Sequence, residues 1–128
     1  MAPNILVVED CVLTRLLIIR ILQQSNMEIG EIYQAENGFR GLDMMENNRI
    51  DLLLTDINMP EMDGIEMLWH IRSRNEYKTI PVLIISAENK QDNIELSNDL
   101  DAVFINKPFT AEILRGALNQ VTQAEYAA

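Results

Sequence analysis

Asn4-Ile5-Leu6-Val7-Val8-Glu9-Asp10 and Leu52-Leu53-Leu54-Thr55-Asp56 are the two stretches whose reading decides the fold. Each is a short, unbroken apolar run that ends in acid. Such runs read as strands of a parallel sheet covered on both faces. In sheets of that kind, sites form outside the carboxyl ends of the strands, where loops leave for opposite faces. Glu9, Asp10 and Asp56 would converge there. Three carboxylates in one crevice repel one another and call for a cation. A hard oxygen cage with room for a phosphoryl group suits Mg²⁺. An acid pair on a surface loop is ordinarily just solvated, but three acids at convergent strand ends favour a site that handles phosphate.

Outward from these two runs, strand-like and helix-like segments alternate five times. The strands are expected over Asn4–Val8, Glu31–Ala35, Asp51–Thr55, Pro81–Ser86 and Val103–Asn106. The helices are expected over Val12–Gln24, Gly38–Asn47, Ile65–Asn75, Lys90–Asn98 and Thr110–Glu125. This (βα)₅ alternation predicts an α/β doubly wound fold, with a parallel sheet, helices on both faces and right-handed crossovers. Thr110 can cap the last helix, with Phe109 and Leu114 in staple positions.

The bulk numbers restrict the function. A chain of 128 residues is one domain's worth, so residues 1–128 read as a single domain. A net charge of -10 argues against direct binding of nucleic acid, which needs a basic face. The one cysteine, Cys11, allows no internal disulfide. No secretory leader pattern opens the chain, and the most apolar stretch, Val12 to Leu22, is too short to span a bilayer and carries Arg15 and Arg20. A cytoplasmic protein without membrane contact is expected.

Further chemistry-bearing residues sit at the other strand ends. Asp56-Ile57-Asn58-Met59-Pro60-Glu61-Met62-Asp63-Gly64 follows the third strand, Ser86-Ala87 closes the fourth, and Lys107-Pro108 follows the fifth. Together with Glu9-Asp10 these motifs resemble the receiver domain of two-component response regulators, in the pattern of the single-domain chemotaxis (CheY-like) type. The resemblance covers essentially the whole chain, and its motifs are specific in combination. It implies a flavodoxin-like sheet of strand order 2-1-3-4-5. Asp56 would be the nucleophile that takes a phosphoryl group from the phosphohistidine of a histidine kinase or histidine phosphotransferase, giving an aspartyl phosphate. Asp10, Asp56 and the backbone carbonyl of Asn58 would ligate Mg²⁺, with Glu9 acting through water. Lys107 and the Ser86 hydroxyl would hold phosphoryl oxygens. Ser86 and Phe104 would move together on phosphorylation and change the face made by helix four, strand five and helix five, for a downstream protein target. Asn58 and Glu88 would tune autodephosphorylation, and their identities imply a short-lived phosphoryl group. The chain would label and unlabel itself without turning over a separate substrate.

Some positions depart from the common family pattern. Ser86 stands where Thr is frequent, and Phe104 where Tyr is frequent. Asp101 stands where Gly is usual, in a turn that asks for a left-handed residue, which Asp tolerates better than most. Gly41 stands inside a helix where Ala is usual, at a cost in helix propensity. Cys11, directly after the acid pair, reads as a small half-buried residue.

Helix one is more apolar than core duty requires. At about 100° per residue, Leu17, Ile18, Ile21 and Leu22 form the expected core stripe, leaving Val12, Leu16 and Ile19 on the opposite face beside Arg15 and Arg20. An exposed apolar patch rimmed by charge suggests a contact for the phosphohistidine-bearing partner, with a homodimer face as the competing reading.

Other classes fit less well. A Mg²⁺-dependent aspartyl-phosphate hydrolase of the haloacid-dehalogenase type would carry D-x-D after its first strand, whereas this strand ends Glu9-Asp10-Cys11. The phosphate loop of a flavodoxin and the G-x-G-x-x-G of a dinucleotide binder are both absent there. Within the receiver reading, a phosphorelay intermediate and a receiver excised from a longer regulator remain open beside the output switch.

Overall fold

The computed structural model describes residues 2–87 and 90–126, the last four of these by backbone alone. Five strands alternate with five helices: β1 (Ile5–Val8), α1 (Val12–Gln24), β2 (Ile32–Ala35), α2 (Gly38–Asn47), β3 (Leu52–Thr55), α3 (Gly64–Arg72), β4 (Val82–Ser86), α4 (Gln91–Asp99), β5 (Ala102–Asn106) and α5 (Ala111–Tyr126). All neighbouring strands are parallel, and the sheet order is β2-β1-β3-β4-β5, as expected.

Period-two alternation divides the strand side chains between two cores. Leu6, Val8, Leu53, Val82 and Ile84 face α2, α3 and α4, where they pack with Met45, Met67, Leu68 and Ile71. Ile5, Val7, Leu52, Leu54, Leu83 and Ile85 face α1 and α5, where they pack with Ile18, Leu22, Leu114 and Leu118. Because both faces are covered, the strands read as continuous apolar runs. The chain leaves β1 for one face and β3 for the other. The ends of these two adjacent strands therefore frame the crevice in which the acids meet.

Boundaries shift by one to three residues. Asn4 stays outside β1 because its side chain bridges the loops below the sheet. It donates to the Arg49 carbonyl at 2.9 Å and accepts from the Glu31 amide at 2.9 Å. Helix α3 ends at Arg72 rather than Asn75. Arg74 is extended there, and a 3₁₀ turn follows over Asn75–Tyr77. The Arg72 guanidinium donates to the carbonyls of Tyr77 (3.1 Å), Lys78 (3.2 Å) and Leu100 (2.8 Å), so it joins this turn to the end of α4. Thr110 caps α5 as expected, its hydroxyl accepting from the Ile113 amide at 3.1 Å. Phe109 and Leu114 share the core on that side.

The backbone explains two of the departures. Asp101 does adopt the left-handed region, with φ 58°. Gly41 lies where α2 crosses β1 most closely, and a Cβ there would sit 2.8 Å from the Met67 sulfur and 3.1 Å from a Val8 methyl. The glycine gives up helix propensity for a tighter layer.

Helix α1 corrects the expected stripe. Ile18, Ile21 and Leu22 are buried, but Leu17 is 49% exposed. Ile19, expected outside, is half-buried against the α1–α5 core. Arg15 also turns inward, its guanidinium reaching the Glu9 carbonyl at 2.6 Å. Ile19 lies one turn later on the same side as Arg15, and Leu17 stands about 200° from Ile19 around the helix. The exposed apolar set is therefore Val12, Leu13, Leu16 and Leu17.

Gly64 shows the tightest backbone approach near the crevice. Its amide donates to the Ile57 carbonyl at 2.8 Å, and a Cβ would overlap the Asp56 carbonyl oxygen. Replacement Gly64→Ala should lower unfolding stability by about 3 kcal/mol, because backbone rather than a side-chain tip must move. Urea denaturation of the two proteins measures this difference.

Candidate functional site

Each wall of the crevice is held through the backbone. The Glu9 amide donates to the Ala35 carbonyl at 3.0 Å, extending the β1–β2 ladder by one residue. The Asp56 amide donates to the Val8 carbonyl at 3.1 Å, joining β3 to β1 at the same level. The Lys107 amide donates to the Ser86 carbonyl at 2.9 Å, continuing the β4–β5 pairing one step past Asn106. Glu9, Asp56 and Lys107 are thus carried over the sheet edge on extensions of its ladders, which places them to within the precision of the strands.

The sequence-predicted acids do converge. One oxygen from each of Glu9, Asp10 and Asp56 lies within 4.8 Å of the others. Glu9 and Asp56 are buried, whereas Asp10 is exposed. Lys107 stands between the buried pair, with its ammonium donating to Glu9 Oε1 and, at 2.9 Å, to Asp56 Oδ2. The Ile57 amide donates to Asp56 Oδ1 at 2.7 Å. The buried Ser86 side chain helps to hold the Asp56 carboxyl below its ordinary pKa. Asn58 is exposed on the loop after Asp56, and Phe104 is half-buried against the α2–α3–α4 core. Glu88 lies outside the described residues. Cys11 is exposed rather than half-buried, because as N-cap of α1 it stands at the rim of the crevice. The neighbouring Thr14 hydroxyl and amide lower the thiol pKa.

The electrostatics set the buried groups apart. Burial lifts the Glu9 pKa to about 7, against the pull of Lys107 and with the Asp56 charge adding to the rise. Burial also works to raise Asp56, but the bonds from Lys107 and Ser86 outweigh it, and the carboxyl is held below its ordinary value. Burial opposes the Lys107 ammonium, yet its bonds to Asp56 and Glu9 prevail and raise its pKa. Glu9 Oε2 is a buried oxygen without a hydrogen-bond partner. An orphaned buried oxygen, two more carboxylates beside it and a single ammonium leave the crevice short of positive charge. A hard divalent cation with oxygen preference fits this donor set.

Two contributors escaped the sequence reading. Arg15 was visible only as a charge flanking an apolar face, and no local signal shows that its guanidinium turns in to Glu9. Leu13 is the most exposed of the large apolar side chains on α1, at 78%, and its position in the first turn was the available clue.

The pH dependence of the metal-free protein follows from Glu9. Between about 4.5 and 7 the folded chain retains a proton at Glu9 that the unfolded chain has released. Metal-free stability therefore falls as pH rises through that window and levels above it. The depressed Asp56 pKa acts below this window and the raised Lys107 pKa above it. Glu9→Gln should flatten the slope between pH 5 and 7, as read by chemical denaturation with chelator present.

The comparisons agree with this geometry. The family model described as response regulator receiver domain matches residues 5–119. The chain is 35% identical over 119 residues to chemotaxis protein CheY-3 of Vibrio cholerae, covering 92% of this chain and 90% of that protein. It is 33% identical to chemotaxis protein CheY of Pseudomonas aeruginosa, over 92% of this chain and 94% of that one. Among solved structures, the phosphorylated cyanobacterial phytochrome response regulator RcpA is similar with a TM-score of 0.85 at 27% identity, covering 97% of this chain and 96% of that chain. Among the described residues, no helix is long and apolar enough to cross a membrane. The acid-lined crevice, the strand order and the family match together place this chain among the receiver domains of response regulators.

Proposed function

We propose that this chain, as a single receiver domain, is a phosphoacceptor switch of two-component signalling, with Asp56 as the acceptor. The observation that carries the reading is the Asp56 carboxylate at the switch point, ionised and held by Lys107 and the Ile57 amide. Its low pKa keeps it a nucleophile at neutral pH. An Asp56 oxygen attacks phosphorus in a phosphohistidine, the O–P bond forms as the N–P bond breaks, and the electron pair leaves with the imidazole. The residues fit Mg²⁺, with Asp10, Asp56 and the Asn58 carbonyl as ligands and Glu9 acting through water. Bound there, Mg²⁺ would offset phosphoryl charge and orient the group in line.

Lys107 changes partners in this scheme. In the unphosphorylated chain its ammonium is shared by Glu9 and Asp56. A phosphoryl group on Asp56 brings nearly two further charges, which draw the ammonium to a phosphoryl oxygen. The Ser86 hydroxyl moves to donate to another phosphoryl oxygen. Ser86 pairs with Asn106 across β4 and β5, in the register that also sets Ile84 beside Phe104. Movement of the hydroxyl is therefore transmitted along this strand pair to Phe104 and to the α4–β5–α5 face, where a downstream protein reads it. Asn58 and Glu88 give the attacking water access to the phosphoryl group and keep its lifetime short.

The α1 face is the contact for the phosphohistidine donor, a histidine kinase or histidine phosphotransferase. Val12, Leu13 and Leu16 are exposed at the crevice end of the helix, and Ile113 in the first turn of α5 is also exposed. Ile19 is not part of this face, because it packs inward.

Intact mass after incubation with acetyl phosphate and Mg²⁺ tests the chemistry. A single phosphoryl adduct is expected on the wild type and none on Asp56→Asn, with decay over minutes rather than many hours at neutral pH. Steady turnover of a phosphomonoester without a retained adduct would instead mark a hydrolase. Leu13→Glu with Leu16→Glu should slow transfer from the cognate donor by about tenfold or more, as expected for two contact side chains worth about 1 kcal/mol each. Labelling by acetyl phosphate should stay unchanged in that variant, and equal loss of both would point to damage to the fold.

A further inference from the structure

We infer that Arg15 is a positioning residue for the cation site, acting through the backbone of the Glu9–Asp10 pair; the inference rests on the cation-dependent reading above. The Arg15 side chain leaves the first turns of α1 and turns back beneath the acid pair. Its Nη1 donates to the Glu9 carbonyl oxygen at 2.6 Å, and its Nε donates to Gln34 Oε1 at 3.0 Å. Gln34 lies on β2, directly across from Val7 of β1. The guanidinium therefore ties together α1, the end of β1 and the edge strand.

This bond completes the restraint of Glu9. Its amide is held by the Ala35 carbonyl at 3.0 Å, and one side-chain oxygen is held by Lys107. Arg15 holds the remaining backbone group, the carbonyl of the peptide that joins Glu9 to Asp10. That peptide is the hinge between a buried carboxylate and an exposed one, and its orientation decides where both carboxylates point. Once β1 ends, this carbonyl has no strand partner among the described residues. Without the guanidinium the peptide plane could rotate, the two acids would lose their common aim, and Glu9 Oε2 would have no fixed place at which to meet a cation. Groups that orient ligands in this way commonly alter metal affinity by tenfold or more.

Charge and positioning predict opposite signs. Removing a guanidinium near three carboxylates should, by Coulomb's law alone, tighten binding of a cation. Removing a clamp on the peptide should weaken it. Calorimetric titration with MgCl₂ of the intact chain, its Arg15→Met, Arg15→Lys and Gln34→Leu variants reads the sign directly, and thermal unfolding without metal checks each fold. Mg²⁺ binding about tenfold weaker in Arg15→Met is expected. Arg15→Lys, which keeps the charge but loses the fork, should also weaken binding. Gln34→Leu, at an exposed position, should weaken it less. Equal or tighter binding by folded Arg15→Met overturns the inference. If Arg15→Met does not fold, Gln34→Leu decides, and unchanged affinity there overturns it. A wild type that binds no Mg²⁺ removes the cation-dependent reading itself, and this inference with it.

Discussion

A shortage of positive charge at the carboxyl edge of the sheet governs the molecule. Glu9 and Asp56 are buried side by side, Asp10 stands at the rim, and one ammonium, from Lys107, serves the buried pair. Buried charge is costly unless paired and hydrogen-bonded. The fold answers the cost unequally. Asp56 collects the Lys107 and Ile57 donors and stays ionised, while Glu9 is left with an orphan oxygen and a carboxyl pushed towards neutrality. Two neighbouring carboxyls are thereby set apart, one ionised and one near neutrality, a pattern common at functional sites.

Holding that imbalance requires rigid surroundings, and the surroundings are mostly backbone. Ladder bonds continue past the formal strand ends at Glu9, Asp56 and Lys107, so the site is an extension of the sheet. The loop after Asp56 is folded back by the Gly64 amide on the Ile57 carbonyl, an approach that leaves no room for a Cβ. Glu61, inside the same loop, has φ 69°, and the Met62 amide donates back to the Pro60 carbonyl at 2.8 Å around it. A left-handed non-glycine residue costs free energy that the rest of the loop must offset, and such residues gather near functional sites.

The roll of α1 links this site to the exposed surface. Arg15 reaches inward to the Glu9 carbonyl on the side of the helix where Ile19 meets the core, and Leu17 lies outside it. Val12, Leu13 and Leu16 are exposed at the crevice end of the helix. One helix thus supplies both the side chain that binds the carbonyl of the acid pair and the apolar residues exposed beside it.

Strand and helix order were legible in the chain because unbroken apolar runs and helical spacing are local properties. The strand runs end at the residues that line the crevice, so Glu9, Asp10, Asp56, Ser86 and Lys107 could be named from the chain. The rotation of α1 was not legible. Its apolar residues cover most of the helix circumference, and hydropathy cannot choose between Leu17 and Ile19 for the core. That choice depends on how the helix packs against the sheet and α5. Nor could the chain show that Gly41 admits Val8 and Met67, that Glu9 would be the carboxyl lifted to about 7, or that its second oxygen would be left unpaired. Each of these is a property of what stands within a few ångströms in space. Residue types and their order determined which groups meet at the sheet edge; only the packed structure decided how charge is divided among them.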